Sequence, residues 1–170
     1  MIFTAEQETA VDYVAAQLGV PVAWLIDLIG FESSWNPGAR NKITGARGLI
    51  QFMPATASAM GFPGAASIRA GTTTAADNLV SLAPDIASQM KYVLQYLAPM
   101  KPFPTLQSLY MAVFYPRFRS VAPTTAFPDS VQKVNPGIKT VSDYMRRASP
   151  LARAVVPVVL CAIGATAFFL

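Results

Sequence analysis

A chain of 170 residues is long enough for one domain with a real core and too short for two large ones. Apolar residues make up 53% and charged residues 13%, more apolar and less charged than an average soluble domain, with the excess concentrated in the last twenty residues. The net charge of +4 comes from scattered basic residues with no long basic run, which suits mild attraction to anionic polymers or membrane surfaces and argues against a nucleic-acid partner.

The elements read in chain order are mostly helical. Met1 to Glu6 has neither a basic start nor a long apolar stretch, so no secretory signal is expected there. Thr4 followed by Gln7 is a capping-box spacing that opens a helix through about Leu18, with Val11, Val14 and Leu18 as its stripe and Gly19 as its stop. Pro21 suits the first position of a second helix, in which Leu25, Leu28, Ile29 and Glu32 share one face. Residues 35–53 hold Asn-Pro, Thr-Gly and Arg-Gly steps and read as an irregular or hairpin-like connection. Pro54 opens a short third helix ending near Gly61. Residues 62–80, rich in Gly, Ala and Thr without a strong period, are expected to be loop or weak helix. Pro84 to Ala98 is a helix with Ile86, Met90, Val93, Leu94 and Leu97 on one face. Thr105 caps another from Leu106 to Tyr115. Residues 116–139 carry four prolines and read as extended. Thr140 and Asp143 repeat the capping-box pattern and open a helix to about Ser149.

The tail differs from all of this. From Leu151 to Leu170 the only charge is Arg153. A spanning helix needs about 20 apolar residues for a hydrocarbon core of about 30 Å, so this segment just suffices. A helix buried in the protein core is the alternative, but a helix apolar all round has no polar face to show water. The expected fold is therefore mainly α, with a folded domain over residues 1–149 and a C-terminal transmembrane anchor over residues 150–170.

The chemistry open to this chain is narrow. It has no histidine, which removes Ser-His-Asp and Cys-His sets and His-ligated zinc. Its single cysteine, Cys161, lies in the tail, and no phosphate-binding Gly-rich loop is present. No cofactor or metal is expected. Of the three glutamates, Glu6 and Glu8 sit near the N-terminus, while Glu32 ends an apolar helix face beside Phe31 and Trp35. Desolvation at such a place disfavours the ionised carboxyl, and an acid poised in this way can give a proton to a leaving group and later take one back. Glycoside cleavage uses such a group. The usual second carboxylate is missing: Asp27 lies off that face and the next acid is Asp77. One carboxylate suffices if the substrate supplies its own nucleophile.

The residues that follow Glu32 carry a resemblance. Glu32-Ser33, Trp35-Asn36-Pro37 and Gly45-Ala46-Arg47-Gly48-Leu49-Ile50-Gln51-Phe52-Met53-Pro54-Ala55-Thr56-Ala57 resemble, in order, the signature of the soluble-type lytic transglycosylases, a lysozyme-like family. Leu109 to Pro116 and Asn135-Pro136-Gly137 more weakly resemble a phage-associated branch. The resemblance covers roughly residues 5–145. It implies a lysozyme-like fold and cleavage between N-acetylmuramic acid and N-acetylglucosamine in peptidoglycan, closing a 1,6-anhydro ring. It also implies that Glu32 is acid and base, that Ser33 steadies the reacting sugar, and that Gln51 and Met53 line the glycan cleft. The family's Ala-Tyr-Asn-Ala-Gly motif is replaced by Ala112-Val113-Phe114-Tyr115-Pro116, which leaves Tyr115 or Tyr110 to support Glu32, with Tyr115 preferred.

The expected partners are peptidoglycan glycan strands and, through residues 151–170, a lipid membrane. Arg146 and Arg147 before the tail and Arg153 near its start favour a cytoplasmic position for the preceding domain, whereas peptidoglycan lies across the membrane. A phage particle with an internal membrane removes this conflict. The expected role is then that of a virion protein, beside capsid or vertex proteins, that opens the wall for genome entry. The alternatives are a host-lysis muramidase acting by hydrolysis, located at the host inner membrane, and a catalytically inactive glycan-binding subunit of a particle.

Overall fold

Thr4 opens the first helix as its spacing requires: in the computed structural model, which describes residues 2–152, its hydroxyl accepts from Gln7 N–H while Gln7 Oε1 accepts from Thr4 N–H. This capping box satisfies two of the amides a helix start leaves without partners. Helix α1, Ala5–Leu18, ends where Gly19 turns left-handed at φ 71°, a conformation that costs glycine nothing. Helix α2, Val22–Ser33, starts one residue later than Pro21, which acts as its N-cap. Helix α3, Pro54–Ala59, starts on Pro54 as expected.

The regular structure of the described residues is helical, with isolated β-bridges and no strand. These residues fall into two compact units that meet between Phe103 and Pro104 in the sequence. In the first, α1 packs on α2 and on α5, Ile86–Leu97, and α3 packs on α4, Ala75–Leu82. Its core is made by Val11, Val14 and Leu18 of α1, Leu25, Leu28 and Ile29 of α2, Leu79 of α4, and Met90, Val93 and Leu97 of α5, all buried. Full burial of one such side chain contributes about 1.5–3 kcal/mol, so the stripes legible in the sequence are what hold these helices.

The second unit contains α6, Leu106–Phe114, a 3₁₀ turn at residues 116–118, α7, Asp129–Val134, and α8, Val141–Ala148. Its interior is aromatic. Phe114 stacks on Tyr144 at 4.1 Å between ring centroids, and Phe118 stacks on Phe127 at 5.2 Å.

Two expectations need correction. Residues 62–80 are not merely loop, because Thr74 and Asp77 form a capping box that starts α4. Residues 116–139 are not simply extended, because they hold the 3₁₀ turn and α7. Two of their four prolines sit at helix starts: Pro116 opens the turn and Pro128 is the N-cap of α7, positions where a missing N–H costs nothing. No single helix among the described residues is long and apolar enough to cross a membrane. The expected anchor at residues 150–170 lies, from residue 153 onward, outside the described residues.

Candidate active site

Glu32 sits in the last turn of α2, half-buried, on the face that begins with Leu25, Leu28 and Ile29. Ser33, the next residue, is half-buried and donates its hydroxyl to Ile29 O at 3.2 Å. The helix then stops abruptly. Ser34 and Trp35 both take left-handed backbone, φ 53° and 61°, and Ser34 N–H closes on Gly30 O. Non-glycine residues rarely occupy this region, and a bulky one is an outlier; such strain concentrates at functional sites. Trp35 is held there by burial and by an edge contact with Phe3 at 4.6 Å. It is part of the core.

The connection from residue 36 to residue 53 is tied rather than loose. Asn41 accepts from Ile43 N–H and Thr44 N–H through its side chain. Arg47 and Phe52 exchange both backbone bonds, at 3.0 and 2.7 Å. Gly48 is left-handed at φ 77°, and a Cβ there would stand 2.5 Å from Gln89 Oε1, so glycine is required twice over. Gln51 is also left-handed, at φ 53°, and its side-chain Nε2 donates to Gly48 O at 3.0 Å. Phe52 turns inward and is buried, while Met53, the N-cap of α3, is 44% exposed.

Two side chains from outside the connection hold it in place. Arg47 Nε lies 3.3 Å from Asp77 Oδ1, which pairs the connection with the start of α4. Burial works against the Asp77 carboxylate, but the Thr74 hydrogen bonds and the charges of Arg47 and Arg40 outweigh it and hold its pKa below the ordinary value. Gln89 of α5 is fully buried and makes three bonds: Oε1 accepts from Leu49 N–H at 2.9 Å, and Nε2 donates to Pro37 O at 2.7 Å and Ala83 O at 2.9 Å.

Tyr96, also on α5, joins the two halves of the signature. Its ring packs edge-on against Phe52, between Gln51 and Met53, at 6.2 Å. Its phenol is pushed above its ordinary pKa, by burial first and then by the charge of Glu32. Tyr96 thus meets the Phe52 ring and lies within reach of the Glu32 charge. Reasoning from sequence missed Tyr96 and Gln89. The available signal for Gln89 was a polar residue inside the apolar stripe of α5, three residues after Ile86 and four before Val93; Tyr96 lies two turns further along the same face.

Tyr115 belongs to the second unit, as the residue that caps α6. Its ring meets Phe118 at 4.8 Å and Phe127 at 5.9 Å. Tyr110 is buried in the same unit, with its ring edge toward Tyr144. An open groove of about 670 Å³ runs between α1 and the start of α5, but none of its lining residues falls within residues 32–53. Its Asp85 caps α5 by accepting from Ser88 N–H.

The family model described as Transglycosylase SLT domain matches residues 10–79. Among curated proteins and among solved structures, none matches the chain. The matched span runs from α1 into α4 and includes Glu32, Ser33, Gln51 and Met53. Residues 10–79 are thus similar to the domain of the lytic transglycosylases, which cleave peptidoglycan.

Proposed function

We propose that the protein cuts the glycan strand of peptidoglycan between N-acetylmuramic acid and N-acetylglucosamine, with Glu32 as both acid and base. The protonated carboxyl of Glu32 gives its proton to the glycosidic oxygen, and the bond from that oxygen to the muramoyl C1 breaks. The C6 hydroxyl oxygen of the same muramoyl unit bonds to C1, and the Glu32 carboxylate takes the hydroxyl proton. A 1,6-anhydro ring closes, no water is consumed, and Glu32 ends protonated as it began. Ser33, Gln51 and Met53 bind the sugars around this centre, and Tyr115 is the support offered by the altered motif.

The observation that carries this reading is that the span matched by the SLT domain holds both Glu32 and the Gln51–Met53 turn, whose Phe52 ring meets Tyr96 of α5. No other carboxylate occurs between Glu32 and Asp77, and Asp77 is committed to Thr74 and Arg47. A second-carboxylate mechanism therefore has no candidate in that stretch. The test is digestion of purified peptidoglycan by wild type and by Glu32→Gln, with products read by mass spectrometry. Wild type releases anhydro-muramoyl products, and Glu32→Gln loses activity by roughly 10²-fold or more. Products one water heavier would replace the intramolecular route by hydrolysis, and full activity in Glu32→Gln would remove Glu32 from the reaction.

We also propose that residues 150–170 anchor the domain of residues 1–149 in the internal membrane of a phage particle, next to capsid or vertex proteins, for genome entry. The support is compositional: a long apolar tail flanked by Arg146, Arg147 and Arg153. Fractionation of purified particles tests it. Recovery with the particle lipid is expected; recovery from host inner membrane alone would overturn it.

A further inference from the structure

Gln89 and Gln51 touch opposite ends of one peptide group. The peptide between Gly48 and Leu49 gives its N–H to Gln89 Oε1 at 2.9 Å, and its carbonyl accepts from Gln51 Nε2 at 3.0 Å. The Gln89 amide is wholly buried, and its other atom holds Pro37 O, five residues beyond Glu32, and Ala83 O. One side chain thus ties the segment leaving Glu32 to the turn that carries Gln51. Gly48 leaves no room for another arrangement, since any Cβ would strike Gln89 Oε1. The left-handed backbone of Gln51, φ 53°, is strained for a residue with a Cβ and persists only where its surroundings hold it.

We propose that Gln89 is a positioning residue for glycan binding, which acts through the Gly48–Leu49 peptide to set the orientation of Gln51. This rests on the reading of Gln51 as a sugar-contacting residue. The chemistry requires an amide: the site asks for one acceptor and two donations from the same group. An ionised carboxylate there would accept from Leu49 but face the Pro37 and Ala83 carbonyls with no proton to give. A protonated carboxyl would restore one of the two donations.

Gln89→Glu and Gln89→Leu are compared with wild type for turnover, KM and melting temperature, each also in a Gln51→Ala background. Binding of peptidoglycan glycan fragments is measured by calorimetry with Glu32→Gln added to every chain. At neutral pH, Gln89→Glu is expected to weaken fragment binding and kcat/KM by roughly 10- to 100-fold, mainly in KM, with partial recovery as the pH falls and the carboxyl protonates. In the Gln51→Ala background the same change is expected to have little further effect, because contacts that act as one unit do not add. Full additivity with Gln51→Ala, or a folded Gln89→Leu with wild-type KM, overturns the proposal. If Gln89→Leu fails to fold, the Gln89→Glu pair, read at acid pH where its carboxyl is neutral, decides between the same two outcomes. A wild type that binds fragments but cleaves nothing overturns the catalytic reading and leaves the Gln89 test intact in the binding data.

Discussion

Glu32 gains its setting from residues far from it in sequence. Its helix delivers it half-buried, but the group that senses its charge is Tyr96, and the turn nearest in the signature is held by Gln89. This makes a prediction separate from catalysis. Because burial and then Glu32 raise the Tyr96 phenol above its ordinary value near 10, Glu32→Gln removes the second cause and leaves the first. Spectrophotometric titration of the phenols in Glu32→Gln is expected to show one tyrosine moving to lower pH while staying above the exposed ones. The Tyr96→Phe chain should lack that moving tyrosine. An unchanged titration would mean that Glu32 and Tyr96 are not coupled. Glu32, Ser33, Gln51 and Met53 were legible as candidates because their order is local and dense. Tyr96 and Gln89 were not, since a contact across roughly forty residues leaves no spacing to read.

Helix starts were the most legible elements. Thr4, Thr105 and Thr140 each pair with a residue three positions on, and each forms the reciprocal box in the folded chain. The bonds are local, so the sequence contains both partners. Thr74 and Asp77 form the same device, yet α4 was lost in a Gly- and Ala-rich stretch whose apolar face is short. Its helix persists because Ala75, Ala76 and Leu79 are buried, which is a tertiary fact. Thr74→Ala removes the hydroxyl that accepts from Asp77 N–H and donates to Asp77 Oδ2 at 2.8 Å. A loss of about 1 kcal/mol is expected from the cap, measured by urea unfolding. A cost near zero would show that α4 is held by packing alone.

For the whole chain, acid is the condition that separates the folded from the unfolded state. Hydrogen bonds and cationic neighbours overcome burial at Asp77. Bonds from the Ser88 backbone and side chain lower Asp85, and bonds from the Thr140 side chain and backbone lower Asp143. Each folded pKa lies below its unfolded value, so the folded state prefers the ionised forms. Their contribution is complete above the ordinary carboxylate pKa of about 3.9 and is lost as pH falls through the folded values. Melting temperatures are expected to hold from pH 7 to about 5 and to drop below about pH 4; a flat profile to pH 2 would contradict the assignment. The proposed anchor belongs to this scale too. A chain ending at residue 149 is expected to remain in solution and keep cleaving peptidoglycan, while the full chain partitions into detergent or lipid; equal partitioning of both would remove the anchor. By itself the sequence determined the helical class and most helix boundaries and singled out Glu32 as the candidate for acid chemistry, because periodicity, caps and composition act locally. Only the tertiary structure decided that α5 supplies Gln89 and Tyr96 to the Glu32 region, because a buried amide and a phenol find their partners only after distant segments have packed.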